Sequence, residues 1–172
     1  NGGQLVTKWK FVEAFNKAQL HWVKYKLSHQ PNGTTDLLSI YNLLKFPTLS
    51  KKGTKDEFSV FTIPEDFLWF SSAEGMLDNC RLDLHFTEEY NVESLIKTGF
   101  FSAKFEEGLI HLRGEEFVVY PKVDRVRFTY FRQPVQVNMA DIEDPIEGLA
   151  TNIDPEWDGV ELEEIIDLTA QI

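Results

Sequence analysis

The chain has 172 residues, 42% apolar and 13% aromatic, which suits one domain with a sizeable core and excludes a disordered composition. No run of about 18 apolar residues indicates a membrane span, and no charged-then-apolar start indicates a signal peptide. The net charge of −11 disfavours general binding to nucleic acid, because an acidic surface repels phosphate. Since the chain begins at Asn1 and not at Met, we expect a processed chain or a segment of a longer one.

The first predicted element is a long helix from about Thr7, a suitable N-cap, to Ser28. Large apolar residues recur at spacings of three and four, as one face of a helix requires. The main row is Phe11, Phe15, Ala18, Trp22 and Tyr25. Trp9 and Leu20 lie off this row, so the helix is predicted to be apolar on more than one side. Residues 29–36, "HQPNGTTD", then break the pattern.

The next stretch is predicted as helix, connector, strand and helix. "DLLSIYNLLKF" reads as a second helix capped by Asp36, and "PTLSKKGTKDE" as a turn-rich basic connector. "FSVFTI" is typical of a short buried strand. "PEDFLWFSSAEGML" is predicted to be a buried helix, because Pro64, Glu65 and Asp66 form a good helix start.

The centre of the chain has the strongest strand signals. "CRLDLHF" alternates, which predicts a strand with Cys80, Leu82, Leu84 and Phe86 on its buried face. A short helix is predicted from an Asn91 cap to Gly99. Three strands follow at about residues 108–113, 116–120 and 124–131. On the last of these, Val126, Phe128 and Tyr130 have the parity of a core face.

The end of the chain is predicted as an irregular acidic segment, residues 138–159, and a closing helix, "GVELEEIIDLTAQI", with one apolar face. The predicted fold class is α+β, with helices at both ends packed around a central antiparallel β-sheet. We predict a single domain, residues 1–172. Its parts are a helical N-terminal part (1–50), a β-rich centre (57–138) and an acidic segment with the closing helix (139–172).

Charge is distributed unevenly along the chain. Residues 133–172 hold eleven acids and no base, so residues 1–132 hold seventeen of each sign, and residues 1–30 hold five Lys and one Glu. The acidic end of one copy is therefore expected to meet the basic start of the next, a head-to-tail contact that closes into a ring when the rotation permits. The acids lining a DNA channel, or solvating a tail, are the open alternatives. The candidate interface comprises Lys8, Lys10, Phe11, Lys17, Trp22, Lys24, Asp158, Glu161, Glu163 and Glu164.

Signals for catalysis are weak, and we predict a non-enzymatic protein with no catalytic, cofactor or metal residues. Asp83 and His85, with His111 elsewhere, are the nearest to a metal cluster, but a third ligand has no obvious source. The lone Cys80 excludes an intramolecular disulfide, suits a reducing compartment and is predicted to be a small buried residue.

The sequence leaves two alternative functions open. Exposed acids and abundant aromatic residues are compatible with a small glycan-binding or hydrolytic domain, for which Glu115 and Glu116 are the residues to test. "RVRFTYFR" resembles a strand that binds single-stranded nucleic acid, although the core placement of its aromatic residues is favoured.

The order of motifs resembles that of structural proteins of crAss-like bacteriophages of gut bacteria. "FVEAFNKAQLHWVKYKL" resembles their N-terminal helix, "IPEDFLWFSSAEG" their proline-acid-aromatic helix, and "VRFTYFRQPVQV" a strand ending in arginine and proline. "PEWDGVELEEIIDLTAQI" is similar to their closing helix, and loosely to tail-tube adaptor proteins of short-tailed phages. The likeness covers most of the chain.

The resemblance implies a virion subunit, assembled in the bacterial cytoplasm, in the ring stack between portal and tail. Copies of the chain would form a ring, dodecameric by resemblance, around the DNA channel. Its partners would be the portal and other tail or ring proteins, with at most non-specific proximity to packaged DNA and no membrane. No catalytic residues are carried over.

Overall fold

The computed structural model describes residues 7–29, 35–139, 143–144, 148–149 and 151–172. Within these residues, helices and a nine-stranded sheet confirm the predicted α+β fold class. The predicted break at residues 30–34 and the parts of the acidic segment at residues 140–142, 145–147 and 150 lie outside the described residues.

The chain divides into two compact units. Asn1–Leu43 and Gln133–Ile172 form one, called the helical unit, and Leu44–Arg132 form the other, called the sheet unit. The helices are α1 (Lys8–Ser28), α2 (Thr35–Leu38), α3 (Glu89–Lys97) and α4 (Gly159–Thr169). The sheet unit contains α3, and the helical unit contains the other three.

The sheet unit is built on strands that pair mostly with distant parts of the sequence. The strands are β1 (Leu44–Lys45), β2 (Thr48–Ser50), β3 (Gly53–Lys55), β4 (Phe58–Thr62), β5 (Phe67–Leu77), β6 (Cys80–Phe86), β7 (Glu107–Arg113), β8 (Glu116–Tyr120) and β9 (Arg125–Arg132). Their order is β1-β9-β5-β6-β7-β8-β4-β3, and β2 also pairs with β9. The pairs are antiparallel, as predicted, except β6 and β7, which run parallel with Asp83 opposite Glu107.

Two short strands, β10 (Glu143–Asp144) and β11 (Gly148–Leu149), pair with each other in the acidic segment. Asn138 and Ile153 form an antiparallel bridge on either side of them, with backbone N–H···O distances of 3.0 and 3.1 Å. The described parts of this segment are therefore ordered by backbone pairing, although it was predicted to be irregular.

One face of the sheet carries the core of the sheet unit. Phe61, Phe117 and Phe128 are fully buried there, and the rings of Phe117 and Phe128 lie 4.5 Å apart. Val126, Phe128 and Tyr130 are all buried, which confirms the predicted core face of β9. The strand alternation of residues 124–131 was sufficient to assign that face.

The prediction of a helix at "PEDFLWFSSAEGML" was wrong, since residues 67–77 form β5, the longest strand. β5 pairs with β9 along most of its length and with β6 through Ala73 to Leu77. Pairing with β9, and with β6 from Ala73 onward, satisfies much of its backbone, and its aromatic residues have high strand propensity. The proline-acid-aromatic helix expected from the resemblance is therefore absent at these residues.

Residues 36–55 also differ from the prediction. The expected second helix is reduced to the four residues of α2 and a single 3₁₀ turn, Tyr41–Leu43. The expected basic connector forms the short strands β2 and β3, which pair with β9 and β4. Pairing with β9 and β4 overrides the weak local preferences of these residues.

The ends of β6 do not follow the predicted burial. Leu82 and Leu84 are buried as predicted, but Cys80 is exposed and Phe86 is 40% exposed. Both residues are exposed because they lie at the two ends of the strand, beyond the part that the core covers. The strand itself, the helix that became α3, and the strands β4, β7, β8 and β9 are confirmed within a few residues of the predicted bounds.

Candidate assembly surface

The helical unit is held together by α1 packed against α4. The buried row of α1 is Val12, Phe15, Ala18, Gln19, Trp22, Val23 and Leu27. The two helices run in opposite directions, because the first turns of α1 line a groove with the last turn of α4, whereas Trp22 and Lys26 contact Glu164. Phe11 and Tyr25, predicted in the apolar row, lie at its edge and are exposed.

Trp22 belongs to this core and not to a free interface, which corrects its predicted role. Its side chain is only 3% exposed, its ring contacts Trp157 edge-on at 5.1 Å, and its Nε1–H donates to Glu164 Oε2 at 2.7 Å. Lys26 Nζ lies 3.4 Å from the same carboxylate and 5.1 Å from the Trp22 ring centre. Much of the charge of Glu164 is thus neutralised within the chain. Part of the attraction between the basic start and the acidic end is therefore used inside one copy.

The other predicted interface residues lie at or near the surface of the two helices. On α1, Lys8, Lys10, Phe11, Lys17 and Lys24 are exposed. Lys17 pairs with Glu13 at 2.6 Å, one turn away. An exposed pair of this kind contributes little stability, so Lys17 is still available to a partner.

The predicted acids fall into two positions around α4. Asp158 precedes the helix as its N-cap residue and Glu161 lies in its first turn, where negative charge is favourable. Both line a shallow groove of about 330 Å³ with Asn42 and Glu156. Glu163 is exposed on the outer side of α4, together with Asp167 and Val160. The structure therefore presents acids on α4 and lysines on α1.

Sequence reasoning missed the polar network that fixes the segment returning to α1. Gln19 is buried, donates to the carbonyl of Val135 at 2.9 Å and accepts from Trp157 Nε1 at 3.0 Å. Asn16 makes paired hydrogen bonds with the backbone of Val137, at 3.0 and 2.8 Å. The sequence feature that could have indicated this network is the pair of amide side chains on the inner face of an amphipathic helix. Side chains there are not solvated and need hydrogen-bond partners within the protein.

Asp83, His85 and His111, the nearest to a metal cluster in the sequence, do not form one among the described residues. No group of three or more His, Cys, Asp or Glu side chains suited to a metal occurs in the described part of the chain. The exposed His85 ring instead contacts the Glu107 carboxylate. His111 is buried elsewhere on β7, with no partner for Nδ1 among the described residues. Burial lowers the pKa of His111, Arg113 lowers it further, and Glu89 opposes this shift.

Of the acids named for the glycan alternative, Glu115 is exposed in the turn between β7 and β8 and Glu116 is half-buried at the start of β8. Glu116 pairs with Lys52 at 2.6 Å. Arg125 and Arg127 are exposed on β9, whereas Phe128 and Tyr130 are buried, and the Tyr130 hydroxyl donates to Asp66 Oδ1 at 2.6 Å. Burial, reinforced by Asp66, raises the pKa of Tyr130. These two rings have no free face on which a base would stack.

Comparisons with protein-family models and with curated proteins returned no match. No helix among the described residues is long and apolar enough to cross a membrane. The class defined by the structure is an α+β protein with a helical unit whose two long helices carry opposite charge on their exposed sides.

Proposed function

We propose that the protein is a structural subunit of a bacteriophage virion, which forms a ring in the connector or tail by head-to-tail self-association. The observation that carries the proposal is the opposition of exposed lysines on α1 and exposed acids on α4. A ring needs two different, complementary surfaces on each subunit, and these helices supply a pair of opposite sign. The N-terminal helix, the strand ending in arginine and proline, and the closing helix, which resemble crAss-like phage structural proteins, support the virion setting, whereas "IPEDFLWFSSAEG" does not form the expected helix.

The experiment measures self-association of the full chain after neutralising three acids, Asp158→Asn, Glu161→Gln and Glu163→Gln. Glu164 is left unchanged, because its loss would leave the Trp22 indole N–H without its carboxylate. We expect weaker association than in the parent protein, and a larger difference at low salt than at high salt, because salt screens exposed charges. Sedimentation velocity over a concentration series provides the readout.

A matched control separates the position of the charges from their number. Glu57→Gln, Glu65→Gln and Glu93→Gln remove the same charge from exposed positions in the sheet unit. We expect this control to associate like the parent protein. If the α4 variant also associates like the parent protein at low salt, the acids do not form the subunit contact, and a channel lining is favoured.

A further inference from the structure

A groove of about 520 Å³ lies between the first half of α1 and the end of α4. Its walls are mainly apolar, from Phe11, Ala14, Ile166, Ala170 and Ile172. Ile166 is 44% exposed and Ile172 is 65% exposed, although both are large apolar side chains. A concave apolar surface that is left in contact with water is typical of a binding site for another molecule.

The edge of the groove is positively charged. Lys10 and Lys17 of α1 line it together with a single acid, Glu13. Lys17 pairs with Glu13 at 2.6 Å, and Lys10 makes no ion pair with any described residue. Because Lys10 has no ion pair among the described residues, an occupant with apolar side chains and negative charge is favoured.

The exposed side of α4 has this chemistry. Val160, Glu163 and Asp167 lie at positions i, i+3 and i+7, which places them on one side of a helix. All three are exposed, and Val160 is 66% exposed. Neither Glu163 nor Asp167 has an ion-pair partner among the described residues, and no base occurs after Arg132.

We infer that this groove binds the exposed side of α4 from a second copy of the chain. The α4 of the same copy cannot be the occupant, because it already forms one wall of the groove. Val160 of the second copy adds apolar contact, while Glu163 and Asp167 face Lys10 and Lys17. The inference rests on the proposed self-association and names the two surfaces that carry it.

The first test fills the groove of the full chain. Ala170 is exposed at the C-terminal cap of α4 and lines the groove, so Ala170→Trp obstructs the groove with little disturbance of the helix. Thr98→Trp is the matched control, because Thr98 is likewise an exposed C-cap residue, but of α3 in the sheet unit. We expect Ala170→Trp to weaken self-association at least about tenfold in sedimentation equilibrium, and Thr98→Trp to leave it unchanged.

The second test exchanges the charges. Lys10→Glu with Lys17→Glu makes the groove acidic, and Glu163→Lys with Asp167→Lys makes the helix surface basic. Each variant alone is expected to lose association, since like charges then meet. An equimolar mixture is expected to regain it, because each groove again meets a helix of opposite sign. Circular dichroism of each variant verifies that the helices are intact.

Three results would overturn the inference, and they are distinguishable. If the parent protein associates and Ala170→Trp associates equally well, other surfaces form the contact and the proposed ring stands without this groove. If the parent protein is monomeric at every concentration, the proposed function fails as well. If a fluorescent long-chain fatty acid binds the parent protein but not Ala170→Trp, while association is the same in both, the groove is a site for a small amphiphile.

Discussion

Gln19 is buried in the helical unit, where its amide nitrogen donates to Val135 O and its amide oxygen accepts from Trp157 Nε1. A leucine has a similar volume but leaves both of these partners without a hydrogen bond. An unsatisfied buried group costs about 1 to 3 kcal/mol. This cost applies to the buried Trp157 indole N–H, whereas Val135 is 43% exposed. We expect Gln19→Leu to lower the free energy of unfolding by about 1 to 3 kcal/mol, as measured by chemical denaturation.

The control for this variant lies on the exposed side of the same helix. His21 is exposed, so His21→Leu is expected to change the free energy of unfolding by less than about 0.5 kcal/mol. Equal stability of Gln19→Leu and the parent protein would show that the network between α1 and residues 135–157 is not required.

His111 makes stability depend on pH, because burial lowers its pKa from the ordinary 6.5. Between pH 6.5 and the lower folded-state pKa, the unfolded chain binds more protons than the folded chain. The contribution of neutral, buried His111 to the free energy of unfolding is therefore complete above pH 6.5, and it is lost as the pH falls toward the folded-state pKa. Glu89 and Arg113 are the charged groups that act on this ring, and they oppose each other.

We expect His111→Leu to lose this part of the pH dependence, because leucine does not titrate. The measurement compares the free energy of unfolding of the variant and the parent protein across this range. The free energy of unfolding of the parent protein should fall relative to that of the variant as the pH is lowered. Parallel profiles for the two proteins would exclude His111 as the source.

At the scale of single residues, the sequence allowed prediction of the apolar positions better than the polar ones. The alternation on β9 correctly predicted the burial of Val126, Phe128 and Tyr130. The roles of Gln19 and Trp22 were not predictable in the same way, because their partners Val135 and Glu164 lie more than a hundred residues away in sequence. A periodic pattern of apolar residues indicates which side of a helix or strand is buried. It does not indicate which distant group that side contacts.

At the scale of elements, the parallel pairing of β6 and β7 depends on a close approach at Gly108. A Cβ atom there would lie 2.6 Å from Leu84 Cδ2 and 2.8 Å from the Tyr120 carbonyl oxygen. The backbone oxygen cannot move without disturbing the β7–β8 ladder. We expect Gly108→Ala to destabilise the protein by about 1 to 3 kcal/mol, as measured by thermal or chemical unfolding.

Gly53 in β3 provides the matched glycine control, because a Cβ added there meets nothing within 4 Å. Gly53→Ala is expected to stay within about 0.5 kcal/mol of the parent protein. If the two alanine variants were equally stable, the approach at Gly108 would be looser than described.

The largest error of prediction, β5, has an identifiable cause. Pro64, Glu65 and Asp66 are typical of a helix start, and Asp66 instead accepts a hydrogen bond from the Tyr130 hydroxyl. The four large apolar residues Phe67–Phe70 fit a buried helix or a strand equally well, so local sequence did not decide between them. Pairing with β9, some sixty residues later, decided it.

At the scale of the whole molecule, the uneven charge is a property of the sequence that the fold partly neutralises. Lys26 and Trp22 satisfy Glu164 within the chain, whereas Glu163, Asp167 and Lys10 have no ion pair with described residues. The sequence could predict two regions of opposite charge. It could not show which charges are already used inside one copy, because that depends on the antiparallel packing of α1 and α4.

The native mass of the full chain, measured over a range of concentrations at low and high salt, tests the central claim most directly. We predict a discrete closed oligomer at low salt that dissociates as salt is raised, because opposite charges on α1 and α4 support the contact. A monomer at every concentration and salt would contradict head-to-tail assembly through these helices.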